Sequence, residues 1–527
     1  TDQKLVARSS EARSPDSAAV SLSRPTTPDE YDHRFRNVTD EIGLDHVHQE
    51  NDYSDFQREP LLPRKLSTQG PRLAVGDVTG NGLDDVYVGG AKGHAGTLYV
   101  QRPDGRFVST NEAVFSDDAI SEDVGATFVD VNGDGALDLY VVSGGYEFSD
   151  TAPALQDRLY LNDGTGQFTR DRNRLPRDRQ SGGPVTVLDY DRDGDQDLFV
   201  GGRVVPWHYG HTPESRLLEN DGTGHFTDVT EEVAPALHDV GMVTDAAWTD
   251  VTGDDRSELV VIGDWMPITI FRQSDGQFER METTGLSESR GWWTRLLAED
   301  VTGDDQTDLV VGNFGQNMRL KAAPKAPVSL YAGDFNYNGQ SSTLLTHYVN
   351  GEEVPVSLRG PLVRQFGFVR TRFPSYEDYA TATIDDLLNE KQQRRAVVRH
   401  ADTFSSMVVE NRGDGRFEMR PLPLRAQFAP MFGLVADDFT ADGRTDLVLA
   451  GNFHGLPPKI GRMASSYGAF LRGATDSTFA AEPARKSGLR VRDQVRDIAV
   501  LNTARHGRVL LLAKNDAPLQ IVKPSSP

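Results

Sequence analysis

One nonapeptide occurs seven times in this chain, beginning at Asp77, Asp130, Asp189, Asp250, Asp300, Asp334 and Asp438. The copies read DVTGNGLDD, DVNGDGALD, DYDRDGDQD, DVTGDDRSE, DVTGDDQTD, DFNYNGQSS and DFTADGRTD. Such a repeat constrains the fold more than the length of 527 residues does, since that length suits one large all-β domain or several ordinary ones. Six copies run into apolar segments such as VYVGG and LVLAGN, and hairpin signals such as PDGRF and NDGTGQF lie between copies. One repeat is therefore strand, acidic loop, strand, connection and hairpin. Four strands in roughly 50 residues match a propeller blade, whereas a solenoid uses shorter repeats and a sandwich shows none.

The expected fold is all-β, a seven-bladed β-propeller over residues 35–527. Residues 1–34, rich in Ser, Pro, Ala and Arg, read as a linker or the tail of a preceding domain. Copies five and six start only 34 residues apart and copies six and seven 104 apart, so blade five is expected to be short and blade six to carry an insertion. Within that insertion, at about 360–400, Tyr376, Ala380, Ile384, Leu387 and Leu388 fall on one helical face, with Ser375 as N-cap after Pro374. The last blade is expected to close by pairing with a strand near residues 70–76.

Charge is concentrated where the repeat is. The formal charge is −24, and the seven loops contain 23 carboxylates against three arginines, Arg192, Arg256 and Arg444. Crowding carboxylates into short loops is unfavourable unless a cation neutralises them. The same balance argues against a nucleic-acid partner, which needs clustered Lys and Arg. With no cysteine, any metal must be held by oxygen or imidazole. No apolar stretch approaches the roughly 18 residues of a membrane span, and TDQKLVARSS has no apolar leader core.

Calcium takes six to eight hard oxygens, and acidic or amide residues at loop positions one, three and five place three side chains on one side of a tight turn. Glycine at position six permits the turn, and an acid at position nine closes the cage from the next strand. The strongest candidates are Asp77, Thr79, Asn81 and Asp85; Asp130, Asn132, Asp134 and Asp138; Asp189, Asp191, Asp193 and Asp197; and Asp438, Thr440, Asp442 and Asp446. Asp250, Thr252, Asp254 and Glu258, and likewise Asp300, Thr302, Asp304 and Asp308, form two further candidates. Their Asp255 and Asp305 stand where glycine is expected, so these turns are expected to differ. The copy at Asp334 ends in Ser342 and reads as an ordinary Asn-Gly turn. About four to six Ca²⁺ ions are expected.

If each acidic loop joins the first and second strands of a blade, the segments after the second strands emerge at the opposite end. They carry Tyr146, Trp207, His208, Trp265, Phe314 and Phe453, a mix suited to stacking a glycan or anchoring a protein, or simply to covering blade ends. His46 and His48 read as packing residues more readily than as metal ligands. No GxSxG, HExxH, Walker or dinucleotide fingerprint occurs, so a non-enzymatic binding module is the leading reading. A polysaccharide lyase or hydrolase on a propeller and a structural spacer are the alternatives.

These loops resemble the FG-GAP, or VCBS-type, repeats of integrin α-subunit propellers and bacterial surface proteins. FRNVTDEIGLDHVHQEN, REPLLPRKLSTQGPRLAVGDVTGNGLDDVYVGG and LPPKIGRMASSYGAFLRG resemble bacterial outer-membrane or secreted proteins that pair such propellers with an ASPIC/UnbV domain. TDQKLVARS resembles the closing strand of that domain. The resemblance implies calcium binding, an extracellular or outer-membrane surface location, adhesion or ligand capture, and a preceding ASPIC/UnbV-type domain in a longer polypeptide.

Overall fold

The computed structural model describes residues 33–525 except 283, 459 and 476. The reading of residues 1–34 as a linker falls almost entirely outside the described residues. The described part is all-β, built of eight four-stranded antiparallel sheets, one of which gains a fifth short strand. No helix among the described residues is long and apolar enough to cross a membrane.

Seven of the sheets follow one plan. Sheet one runs Leu73–Gly76, Asp85–Val88, Thr97–Gln101 and Phe107–Thr110, each strand pairing with the next. Sheets two, three and four begin with Glu122–Val129, Ser181–Leu188 and Met242–Thr249. Sheets five, six and seven begin with Arg295–Glu299, Met431–Asp437 and Gln494–Thr503. These first strands touch in chain order, and that of sheet seven touches that of sheet one. Apolar side chains fill the gap between each consecutive pair. Between sheets one and two they include Tyr87, Leu98, Leu139 and Tyr160; between seven and one, Val86, Val88, Leu501 and Leu511. Strands buried on both faces read as continuous apolar runs, which is why VYVGG and LVVIGD show no alternation.

Three expectations are corrected. Sheet seven consists of Gln494–Thr503, Gly507–Asn515 and Gln520–Pro524, with Phe35–Asn37 pairing antiparallel to the last. The closing strand is thus at 35–37, while residues 73–76 are the first strand of sheet one. Sheet seven has no acidic loop, since its first two strands join through the tight turn Thr503–Gly507.

The Asp334 copy belongs to none of the seven. It joins Val328–Gly333 to Ser342–Val349 in the eighth sheet, which is completed by Glu352–Pro355 and Val397–Ala401. That sheet sits between the second strand of sheet five, Asp308–Gly312, and its third, Met407–Asn411. The insertion therefore interrupts repeat five rather than repeat six. Seven loops and seven such sheets agree in number only because one loop is extra and one sheet lacks a loop.

The insertion's helices are short and broken. Tyr376–Tyr379 and Ile384–Leu387 are separate, Tyr376 is exposed, and Ile384, Leu387 and Leu388 pack on Phe335, Leu344 and Phe366. Ser375 does cap as expected, accepting from the Asp378 N–H while the Asp378 carboxylate accepts from the Ser375 N–H.

Candidate metal centres and the opposite end

All seven acidic loops share one conformation. The carboxylate at position one accepts the N–H of position six: Gly82, Gly135, Gly194, Asp255, Asp305, Gly339 and Gly443 at 2.6–3.0 Å. Position six is left-handed throughout, with φ of 61° at Asp255 and 64° at Asp305, so these two turns do not differ from the glycine ones. Asp tolerates this region through its short polar side chain. Position four is also left-handed, at Gly80, Gly133, Gly253 and Gly303 and, with a Cβ to accommodate, at Arg192, Tyr337 and Ala441.

Position nine does more than close a cage. Asp138 is buried; one oxygen accepts the N–H of Val131, at position two of the loop, at 3.2 Å and the other that of Asn162, on the third strand, at 2.8 Å. Asp85 (Val78, Gln101), Asp197 (Tyr190, Asn220) and Asp308 (Val301, Asn411) repeat this clasp. The third-strand residue in turn reaches the neighbouring sheet. Asn162 Nδ2 donates to Val78 O at 2.7 Å, Asn220 to Val131 O at 2.8 Å and Asn411 to Val251 O at 2.9 Å. Each staple thus ends on the loop of the preceding sheet, so the loops sit at the seams. Sequence reasoning noted the hairpin glycines but missed the Asn before them, whose recurrence at 162, 220 and 411 was the available signal.

The donor sets differ between loops. Carboxylate oxygens of Asp189, Asp191 and Asp197 lie within 4.8 Å of one another, as do those of Asp300, Asp304 and Asp308. Both sets suit a hard divalent cation. Burial pushes the buried acids upward, Asp85 and Asp138 to about 6 and Asp197 to about 7, and the neighbouring loop carboxylates add to it. A cation is what would relieve that cost. In sheet six Asp446 has a buried oxygen without a partner, yet Asp442 is already held by Arg444 and, at 2.8 Å, by Arg472. A guanidinium there occupies the charge an ion would take, so this set fits a metal less well than its sequence implied. In the inserted sheet Gln365 donates to Ser342 and Asn336 to the Gln365 carbonyl, a neutral arrangement.

Five of the six aromatic-end candidates meet at one cluster, and four of them point inward. Tyr146, Trp265, Phe314 and Phe453 are buried in one cluster with Trp292 and Leu66. Trp265 meets Trp292 at 5.0 Å, Trp292 meets Phe314 at 5.2 Å and Phe314 meets Phe453 at 5.6 Å. Trp265 Nε1 donates to the Tyr209 hydroxyl at 2.8 Å. Trp207 is half-buried beneath the Arg58 guanidinium at 3.8 Å, and His208 Nδ1 lies 3.1 Å from the Pro206 carbonyl. As an open stacking platform this set is corrected: Phe56, Leu62 and Leu66 of the segment preceding sheet one pack over it. His46 bonds the Tyr99 hydroxyl at 3.1 Å and His48 is buried, as packing residues would be.

Beside that cluster a cavity of about 260 Å³ opens among Trp292, Met318, Leu320, Leu345, Leu456 and Ile460. Leu358 on its rim is 62% exposed. No sequence signal pointed to it, because its walls come from five separate stretches of chain.

The FG-GAP-like repeat model matches residues 77–141, 148–200 and 250–311. Human cartilage acidic protein 1 is 28% identical over 237 residues, which are 42% of this chain and 34% of that protein. The mouse protein is 27% identical over the same share of this chain. The chain spans about a third of the length of these curated relatives. Among solved structures, an Agrocybe aegerita lectin specific for non-reducing terminal N-acetylglucosamine covers 86% of each chain at 15% identity and a TM-score of 0.41. The Dos1 propeller covers 89% of this chain and 94% of its own at 9% identity and a TM-score of 0.34.

Proposed function

We propose that this protein is a calcium-loaded, seven-bladed FG-GAP-type β-propeller that acts outside the cell, or on an outer-membrane surface, as a binding module rather than an enzyme. The observation that carries the reading is the shared loop, with its position-one carboxylate, left-handed positions four and six and, in six of the seven copies, a buried position-nine acid. Asp189, Asp191 and Asp197, and Asp300, Asp304 and Asp308, are the sets that best hold an ion. The sets at Asp77, Asp130 and Asp250 follow, giving five ions. The ion's role is structural: it offsets repulsion among the loop carboxylates and stiffens the seams that Asn162, Asn220 and Asn411 staple. Extracellular modules commonly bind calcium at about 0.1–1 mM, so such loops fill outside a cell and stay largely empty in cytosol.

The partner is a protein rather than a glycan. An apolar cavity of about 260 Å³ with an exposed leucine at its rim receives an apolar anchor side chain, whereas the aromatic faces a sugar would stack on are buried. A preceding ASPIC/UnbV-type domain in the same polypeptide belongs to this reading.

Native mass spectrometry and melting with and without EDTA test it. Five bound ions, and a melting temperature lower in EDTA by on the order of 10 °C, are expected for ions bound only by the native state. An unchanged melt with no retained calcium refutes structural calcium.

A further inference from the structure

The same first strands that end in the acidic loops begin around a second, oppositely charged feature. A cavity of about 40 Å³ is lined by Val124, Gly183 and Thr244 within the first strands of sheets two to four, and by Arg72 and Thr294 immediately before those of sheets one and five. Phe432 and Arg496, within the first strands of sheets six and seven, complete the circuit. Five of the first strands and the residue just before each of the other two contribute, which places the cavity where their starts converge. The segment before sheet one adds Arg64, Lys65, Thr68 and Gln69, and the second strand of sheet three adds Arg203.

Five of the lining side chains are cationic and none is a carboxylate. Arg64 and Arg203 share Asp264, the latter at 2.8 Å. Arg203 also donates from Nε to Gln69 Oε1 at 2.8 Å, but its Nη1 is buried with no acceptor among the described residues, and Arg203 is only 5% exposed. Arg496 is 3% exposed and donates to the Asn452 carbonyl and Gln494 Oε1. Arg72 donates to the Arg496 carbonyl at 3.4 Å. Neither Arg72 nor Arg496 has a carboxylate within ion-pair distance among the described residues. Of the nearby acids, Asp245 and Asp497 face Arg295 at 3.5 and 3.1 Å, and Glu50 accepts from Asn515 through Oε1 while its Oε2 is buried without a partner among the described residues. Burial accordingly lowers Arg496 to about 9 and lowers Arg72 as well.

An uncompensated buried guanidinium is costly, and a buried donor with no acceptor adds to that. A water needs about 10–15 Å³ of such space, so this cavity has room for about three water-sized groups, the size of a carboxylate. We propose that it is a binding site for one small oxyanion, a carboxylate or bicarbonate-sized ion held between Arg72, Arg203 and Arg496. Guanidinium N–H forks suit that shape. The ion pins together the starts of strands from different sheets, and the site is independent of the calcium loops at the strands' far ends.

Melting at constant ionic strength in formate against the bulky anion MES, in calcium and again in EDTA, tests the site. For a dissociation constant on the order of 1 mM, about 100 mM formate raises the melting temperature by roughly 2–4 °C over MES in both conditions. The Arg496→Met variant abolishes this difference while keeping the wild-type response to EDTA. Equal melts in formate and MES overturn the site, and so does a formate response that survives in Arg496→Met. Should that variant not fold, bromide-soaked crystals of the wild-type protein decide: an anomalous peak among Arg72, Arg203 and Arg496 supports the site, and its absence refutes it.

Discussion

The two ends of the first strands differ in sign, in burial and in how their charges are satisfied. At one end, carboxylates crowd into exposed loops where backbone N–H groups a few residues away donate to them, as Gly135 N–H does to Asp130 at 2.9 Å. At the other, arginines from distant parts of the chain meet in a buried cavity and share too few acids. A loop with local partners has its turn specified by hydrogen bonds to its own near neighbours. A buried cluster without them depends on pairing across sheets. Stability should therefore be far more sensitive to single changes at the arginine-lined cavity and at the buried position-nine acids than along the exposed part of the loops.

The largest effect is expected from Asp264→Ala, which leaves Arg64 and Arg203 buried without their shared carboxylate. Denaturant unfolding should show a loss of about 3–5 kcal/mol; a loss below about 1 kcal/mol would mean that Arg64 and Arg203 do not depend on it. Next comes Asp138→Ala at the loop end, which removes the acceptor for two buried N–H groups, Val131 and Asn162, and should cost about 2–4 kcal/mol even in EDTA. If EDTA erases that cost, Asp138 acts only through a metal.

Glu59, in the segment that packs over the aromatic cluster, sharpens the contrast through pH. Burial raises it to about 7, outweighing the Tyr146 hydroxyl and the positive charge of Arg58. An acid whose folded value is raised lends stability below its unfolded value, near 4.3, and loses it as pH climbs through 7. Glu59→Gln should thus stabilise by up to roughly 3 kcal/mol at pH 8 and by almost nothing at pH 4. A pH-independent difference between variant and wild type would count against a buried, charge-resisting Glu59.

The smallest effects are expected in the exposed loops, where metal stoichiometry rather than stability is the readout. Arg472→Met releases one guanidinium from Asp442 and should raise calcium occupancy of the sheet-six loop with a stability change of about 1 kcal/mol or less. Asp134→Ala should lose one ion, whereas Asn338→Ala in the inserted sheet should lose none. An ion lost with Asn338 would show that the neutral loop binds metal after all.

Much of this was legible in the sequence because it is local. The nonapeptide specifies its own turn through the reach of one carboxylate over five residues, so the seven positions of that turn could be read directly. Strand, loop and hairpin order followed from period and glycine placement in the same way. Less legible was the departure of Asp255 and Asp305 from glycine, since whether a side chain tolerates φ near 60° is settled by the hydrogen bonds around it.

What the amino-acid sequence alone determined is the repeat, the four-stranded unit it builds, the acidity of its loops and the restriction to oxygen or imidazole donors that the absence of cysteine imposes. Tertiary structure decided which loop belongs to which sheet, that Phe35–Asn37 completes sheet seven, and that Tyr146, Trp265, Phe314 and Phe453 turn inward. It alone assembled Arg72, Arg203 and Arg496 around one cavity. The division has a physical reason: hydrogen bonds within nine residues are encoded by neighbours in the chain, whereas burial and charge pairing are set by whichever sheets the fold brings side by side.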